Sequence, residues 1–266
     1  MFKNFIIFLI IFLFINGCSN KKDEVQQDTK ENIKSPEEIY IIAKKFFDNK
    51  NYDLSYEEFL ELKKLYPLSN EAIQAEIMIG FISYLKMDYE SAIFQFNKIV
   101  GKYPSHKNLD YVYYMIAICN YEQINHHALD GEFNDLALKN FNQVINRFPK
   151  SEYAKDSRQK IILVKSNKAA KHMDIGRFYL KEKKYTAALN RFKIVIQDYS
   201  MTKFTPEALH RMVEAYFYMG MIDESKKTAS VLGYNYPDSK WYNYSYNLIN
   251  KKKNKESIYS KIINFF

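Results

Sequence analysis

Glycine, proline, cysteine and tryptophan are all scarce in this chain of 266 residues, which has seven, six, two and one of them. The glycines do not cluster, so no phosphate-cradling loop can form, and neither His-Glu-x-x-His nor Gly-x-Ser-x-Gly occurs. Acid pairs such as Glu37-Glu38 and Glu57-Glu58 stand at expected helix starts, where their charge complements the positive end of the helix dipole rather than serving catalysis. With two cysteines, Cys18 and Cys119, a modification of the first leaves no intramolecular disulfide, and stability must come from packing. Long apolar runs are lacking too: the one present, Phe5 to Ile15, is too short to span a bilayer comfortably.

That run follows Lys3 and has the length of a signal-peptide core. It ends in Ile15-Asn16-Gly17-Cys18, which resembles a lipobox and implies cleavage after residue 17 and lipid, palmitate included, on Cys18. The alternative is a chance cysteine in an ordinary signal peptide. Residues 18–34 are polar without apolar period and read as a lipidated flexible tether. Ser19 after the cysteine, instead of aspartate, suits export to the outer membrane. Removing residues 1–17 takes away one lysine, leaving 38 Lys+Arg against 31 Asp+Glu, a formal charge of +7. The positives lie beside acids along the whole chain, as on solvated helix faces, and export argues against nucleic acid as a partner.

Aromatic-Pro pairs stop apolar stretches at Tyr66-Pro67, Tyr103-Pro104, Phe148-Pro149 and Tyr236-Pro237, with Tyr199-Ser200 at the equivalent place. Small residues recur between the stops: Ala43, Gly80, Ala117 and Gly176, with Val213 as a poor fifth, then Ser55, Ala92, Ala137, Ala188 and Ser225. From 43 to 80, 80 to 117 and 176 to 213 the spacing is 37 each time. Bulky partners follow at Phe59, Phe96, Phe141 and Phe192, with Ala229 in the weak fifth unit. This small-large alternation at one period resembles the tetratricopeptide repeat (TPR). The expected fold is an all-α TPR superhelix of five helix pairs. Repeat three carries an insertion around Asn125 to Phe133, and one long helix, Ser151 to Glu182, joins repeats three and four. Ser35-Pro36-Glu37-Glu38 starts the first helix. The expected segments are 1–17 signal peptide, 18–34 tether, 35–149 repeats one to three, 150–242 the long helix with repeats four and five, and 243–266 a basic tail.

Several segments narrow the resemblance. Ser105 to Met115, Arg147 to Ala154, Ala187 to Arg191 and Leu232 to Tyr242 are similar to the BamD family of outer-membrane β-barrel assembly lipoproteins, over nearly everything from Ser35 to Tyr242. The insertion lacks the Arg-Asp pair of many members, and Ser200 replaces proline. The resemblance implies a docking subunit, not an enzyme, with no cofactor, lipid-anchored at the periplasmic face of the outer membrane. Its implied partners are the barrel-forming subunit, other assembly lipoproteins and unfolded outer-membrane proteins. The alternative function is a TPR lipoprotein for secretin or pilus assembly, which would lack the long helix and the segment His106 to Met115. An enzyme or enzyme accessory with a site in the insertion is the other rival.

First helices of a TPR array line a concave face on which a peptide can lie. The groove-facing positions here are Tyr40, Lys44, Phe47, Phe81, Tyr84, Tyr111, Tyr114 and Tyr121, an aromatic wall with one lysine. The resemblance implies that it takes the apolar, aromatic C-terminal signal of unfolded barrel proteins and its carboxylate; the competing expectation is that about half of these rings are core. Tyr66 holds a family position linked to substrate, although an aromatic there in every repeat favours packing. Arg191 holds the position that faces the periplasmic domain of the barrel-forming subunit, against a plain solvent-facing arginine. His126, His127, Asp130 and Glu132 lie close together but at no metal-ligand spacing, so no metal is expected. Cys119 is expected in the core.

Overall fold

The computed structural model describes residues 34–124 and 131–250. The signal peptide, Cys18 and most of the tether, the inserted residues 125–130 with His126, His127 and Asp130, and residues 251–266 lie outside the described residues.

Among the described residues the helices run in the order α1 (Pro36–Asp48), α2 (Tyr52–Leu65), α3 (Asn70–Leu85), α4 (Tyr89–Lys102), α5 (Leu109–Glu122), α6 (Gly131–Arg147), α7 (Glu152–Lys181), α8 (Tyr185–Asp198), α9 (Thr205–Tyr218) and α10 (Ile222–Asn235). They pack as five antiparallel pairs, α1–α2 through α9–α10, and each pair stacks on the next. Residues 240–250 are helical as well. The boundary expected after Tyr242 therefore falls inside a helix, which is held because Ser245 is buried and its hydroxyl lies 2.8 Å from His210 Nδ1 on α9.

Local chemistry sets the helix starts. Ser35 and Glu38 form a capping box, with Glu38 N–H donating to Ser35 Oγ and Ser35 N–H to Glu38, and Pro36 occupies the first turn. Ser69, Asp88 and Ser151 likewise accept from the first turns of α3, α4 and α7. Four pairs turn through three residues whose middle member is left-handed: Lys50, Met87, Lys183 and Gly220, at φ 61°, 60°, 57° and 78°. Repeat three departs from this. Its second helix starts at Gly131, six residues before Ala137, whereas α2 starts three before Ser55, so Gly131 to Phe133 of the expected insertion form the opening turn of α6.

The core is one motif used repeatedly. Ala43, Gly80, Ala117, Gly176 and Val213 are buried on the first helices, facing Ser55, Ala92, Ala137, Ala188 and Ser225 on the second. Phe59, Phe96, Phe141 and Phe192 are fully buried, each contributing about 2–3 kcal/mol of hydrophobic stabilisation. In the first and last pairs the second-helix residue is serine. Its hydroxyl donates to the carbonyl of the residue it faces, Ser55 to Ala43 at 2.9 Å and Ser225 to Val213 at 3.1 Å.

Each first helix has two working faces. One packs on the second helix of the preceding pair through Ala75, Ile79 and Ile82 on α3, Val112, Ile116 and Cys119 on α5, and Ala208, Met212 and Ala215 on α9. The other packs on its own second helix through triads such as Glu76, Gly80 and Ser83. Helix α7 has 30 residues and keeps these faces apart. Ala154, Ser157, Ile161 and Val164 meet α6 early in the helix, and His172, Gly176 and Tyr179 meet α8 late in it. One helix thus ends the first three pairs and opens the last two.

Candidate peptide-binding groove

The first helices touch in series, α1 to α3, α3 to α5, α5 to α7 and α7 to α9. Across the first four runs a ladder of rings. Phe47 lies 5.9 Å from Phe81, Phe81 6.0 Å from Tyr84 and 6.5 Å from Tyr111, and Tyr111 and Tyr114 lie 5.5 and 5.1 Å from Tyr153. These spacings fall within the range of favourable aromatic pairing. Every ladder ring is half-buried, so one face packs against the helices and the rest is open to a ligand. Each of the expected groove rings also packs against a core cluster, so a ring at the seam between two first helices is neither fully inside nor fully out.

Burial raises the hydroxyl pKa of Tyr111 and of Tyr114, and in Tyr114 the hydrogen bond to Asp156 at 2.6 Å raises it further. Asp110 accepts from Ser151 at 2.6 Å. Both bonds tie α5 to α7 beneath the ladder, so the rings are held on a braced floor. Tyr121 sits edge-on to Phe141 with the Lys160 ammonium 4.7 Å from its ring centre. Tyr40 leans on Phe59 at 5.5 Å, and burial raises its pKa.

Lys44 pairs with Asp48 at 2.5 Å and lies over Phe47. It keeps about half its side chain exposed, and the pair is a surface one of small energy, so Lys44 can turn to a ligand carboxylate at little cost. Tyr66 does not join the ladder. It caps α2, packs in the first core cluster and donates to the Lys34 carbonyl at 2.8 Å. Arg191 lies on α8, partly exposed, and with Lys168 and Lys171 it adds to the burial that lowers the pKa of His172. Cys119 is buried, its thiol pushed up to about 12 by burial, which suits a core residue and not a nucleophile.

Tyr153 and Asp156 were missed in the sequence because they sit on the added first half of α7, outside the 37-residue period. A second cleft, lined by Glu37, Tyr40, Gln74, His106 and Asn108, opens between the first turns of α1 and α3 and the loop before α5. The segment Ser105 to Met115 thereby supplies both this cleft and two ladder rings.

Over α7 and α9 the concave face changes character. Asp174, Arg177, Glu207, Arg211 and Glu214 form one chain of ion pairs, with Arg177–Glu207 at 3.0 Å and Arg211–Glu214 at 2.7 Å. Arg211 also covers Trp241 at 5.2 Å. Among the described residues no group of three or more His, Cys, Asp and Glu is placed to hold a metal, and no helix is long and apolar enough to cross a membrane.

A family model described as an outer membrane lipoprotein, YfiO, matches residues 32–232. The chain belongs to this family. A relative from Rickettsia prowazekii, named outer membrane protein assembly factor BamD, is 39% identical over 247 residues, covering 92% of this chain and 96% of the relative. The Caulobacter vibrioides protein of the same name is 34% identical over 242 residues, covering 91% and 79%. Among solved structures, the TPR2AB domain of yeast Sti1 in complex with pHSP90 is similar at a TM-score of 0.45 and 12% identity, over 84% of this chain and 86% of that one.

Proposed function

We propose that this chain is a non-enzymatic assembly factor for outer-membrane proteins, held by lipid on Cys18 at the periplasmic face of the outer membrane. The ladder from Phe47 to Tyr153 receives the C-terminal segment of an unfolded barrel protein, and Lys44 meets its carboxylate. Arg191 faces the periplasmic part of the barrel-forming subunit, where a guanidinium can pair bidentately with an acid. Residues 18–34 serve as the tether, 35–149 with the first turn of α7 as the client-binding array, and the later part of α7 with repeats four and five as the partner-binding part. The observation that carries this reading is a continuous, half-open aromatic face, braced from beneath, in a chain whose relatives bear the name of assembly factors. Aromatic rings supply large contact area at low entropic cost and tolerate varied apolar clients.

The test is affinity capture of the tagged, lipidated chain from detergent-solubilised membranes, wild type against Arg191→Glu, with co-purified proteins identified by mass spectrometry. Recovery of a large outer-membrane barrel protein with periplasmic repeats, lost on charge reversal, supports the assignment. Recovery of a secretin or pilus component without such a barrel overturns it.

A further inference from the structure

In every ordinary pair the own-partner face of the first helix is covered. Glu76 and Gly80 meet α4, Tyr113 and Ala117 meet α6, and Val213 meets α10, and Ser83, Asn120 and Leu209 beside them are buried. In the first half of α7 the same three positions, fourteen residues before His172, Gly176 and Tyr179, are Arg158, Ile162 and Lys165. No second helix lies on them among the described residues. They line an open cleft with Ile161 and the segment Gln197 to Thr202. Ile162 and Leu163 are 38% and 49% exposed and Met201 is 79% exposed. Thr202 is buried, yet its hydroxyl finds no hydrogen-bond partner at this cleft, an unusual cost for a polar atom out of water. The cleft lies on the far side of α7 from Tyr153, so the ligand groove does not use it.

We infer that this vacant second-helix place receives one α-helix of a partner protein, amphipathic, with a small residue at the centre of its apolar face and acidic side chains flanking it. The shape follows from the repeat: the other first helices are each closed here by a helix of about four turns. The small residue follows from Ile162, which is bulky where Gly80 and Gly176 are not, so the facing residue must be small where Phe96 and Phe192 are large. The acids follow from Arg158 and Lys165, which outnumber Asp198 as charges lining the cleft. Neither arginine nor lysine there has an ion-pair partner among the described residues; Arg158 donates only to the Pro149 carbonyl, at 3.3 Å. A basic helix, including one built from the lysine-rich residues 251–266, would meet repulsion at both.

The probe is a stapled sixteen-residue helical peptide with a leucine stripe, a central alanine and flanking glutamates, against its lysine-flanked counterpart, titrated by fluorescence anisotropy into the full mature chain. The acidic peptide should bind at least tenfold tighter than the basic one. Ile162→Glu should lose at least tenfold, and Arg158→Glu with Lys165→Glu should reverse the preference. All three positions are at the surface, and unchanged melting checks the fold. Equal binding of both peptides, or undiminished binding by Ile162→Glu, would overturn the inference. So would a wild-type dimer in sedimentation that Ile162→Glu dissolves, since the occupant would then be a second copy. In cells, a photo-crosslinker at position 162 should mark another protein at intervals of three to four residues; marks on this chain or on lipid alone would also overturn it.

Discussion

A β-carbon placed on Gly176 would stand 2.5 Å from Cε1 of Phe192, and one on Gly80 would stand 2.8 Å from the same atom of Phe96. In repeats two and four the first-helix glycine leaves free the volume that the second-helix phenylalanine ring fills. In repeats one and three alanine shares a core cluster with the equivalent phenylalanine, Ala43 with Phe59 and Ala117 with Phe141.

Gly176→Ala should therefore destabilise, although alanine favours helix by about 1 kcal/mol. Overpacking a closed core costs about 1–3 kcal/mol, so after the helix gain is subtracted the net loss should reach roughly 2 kcal/mol at most. Gly101, on α4 with nothing within 4 Å of its added β-carbon, is the control: Gly101→Ala should gain about 0.5–1 kcal/mol. Urea unfolding of both variants decides it, and a stabilised Gly176→Ala would refute the shared-volume account.

The left-handed turn residues give a second expectation. Lys50, Met87 and Lys183 adopt a conformation that Gly220 fills without strain, at about 1–2 kcal/mol for a residue with a side chain. Part of that returns through glycine's freer unfolded chain. Each change to glycine should add about 0.5 kcal/mol, nearly additively because the turns are far apart, while Gly220→Ala should lose about 1 kcal/mol. Melting of the triple variant checks the sum.

Acid should loosen the C-terminal end first. His210 is buried against residues 240–250, with Nδ1 on Ser245 and Nε2 3.7 Å from Glu214. Burial lowers its pKa, opposed by Glu214 and Glu207 and aided by Arg211. The unfolded chain takes up a proton near pH 6.5 that the folded chain resists, so stability is full above that pH and falls below it. His106 and His172 are lowered by burial too. His210→Gln should lessen the loss between pH 7.5 and 5.5 without abolishing it, as read by denaturant unfolding at the two pH values. An unchanged slope would remove His210 as a source.

Tyr66 and Tyr153 should behave oppositely. Tyr66→Phe removes the bond to the Lys34 carbonyl and should cost about 1 kcal/mol of stability while leaving binding of a phenylalanine-terminated client peptide unchanged. Tyr153→Ala should weaken that binding about tenfold, the scale of one stacked ring. Isothermal titration beside thermal melting separates the two effects.

The repeated core was legible because a 37-residue period gives the same residue the same neighbours each time; Phe59, Phe96, Phe141 and Phe192 needed no other clue. Val213 and Ala229 looked like decay of the pattern, yet both are buried, and Val213 keeps the pairing of its position through the Ser225 hydroxyl. Tyr153 and Ile162 were hidden because the extra length of α7 takes them out of the period. Counting could find that length but not which side it would leave bare. Trp241 and Ser245 were hidden differently: their partner, His210, lies in the preceding pair, and nothing local marks residues 240–250 as packed.

The extra length of α7 also sets an angle. At about 100° per residue, a displacement of fourteen residues falls roughly 40° short of four whole turns. The aromatic face built on the start of α7 and the charged face built on its end are therefore out of phase, like two flights of a spiral stair joined on one rigid newel. On the proposed reading, a peptide lying straight along the rings would be turned away from Arg177 and Glu207, which the same rigid helix presents on a different bearing.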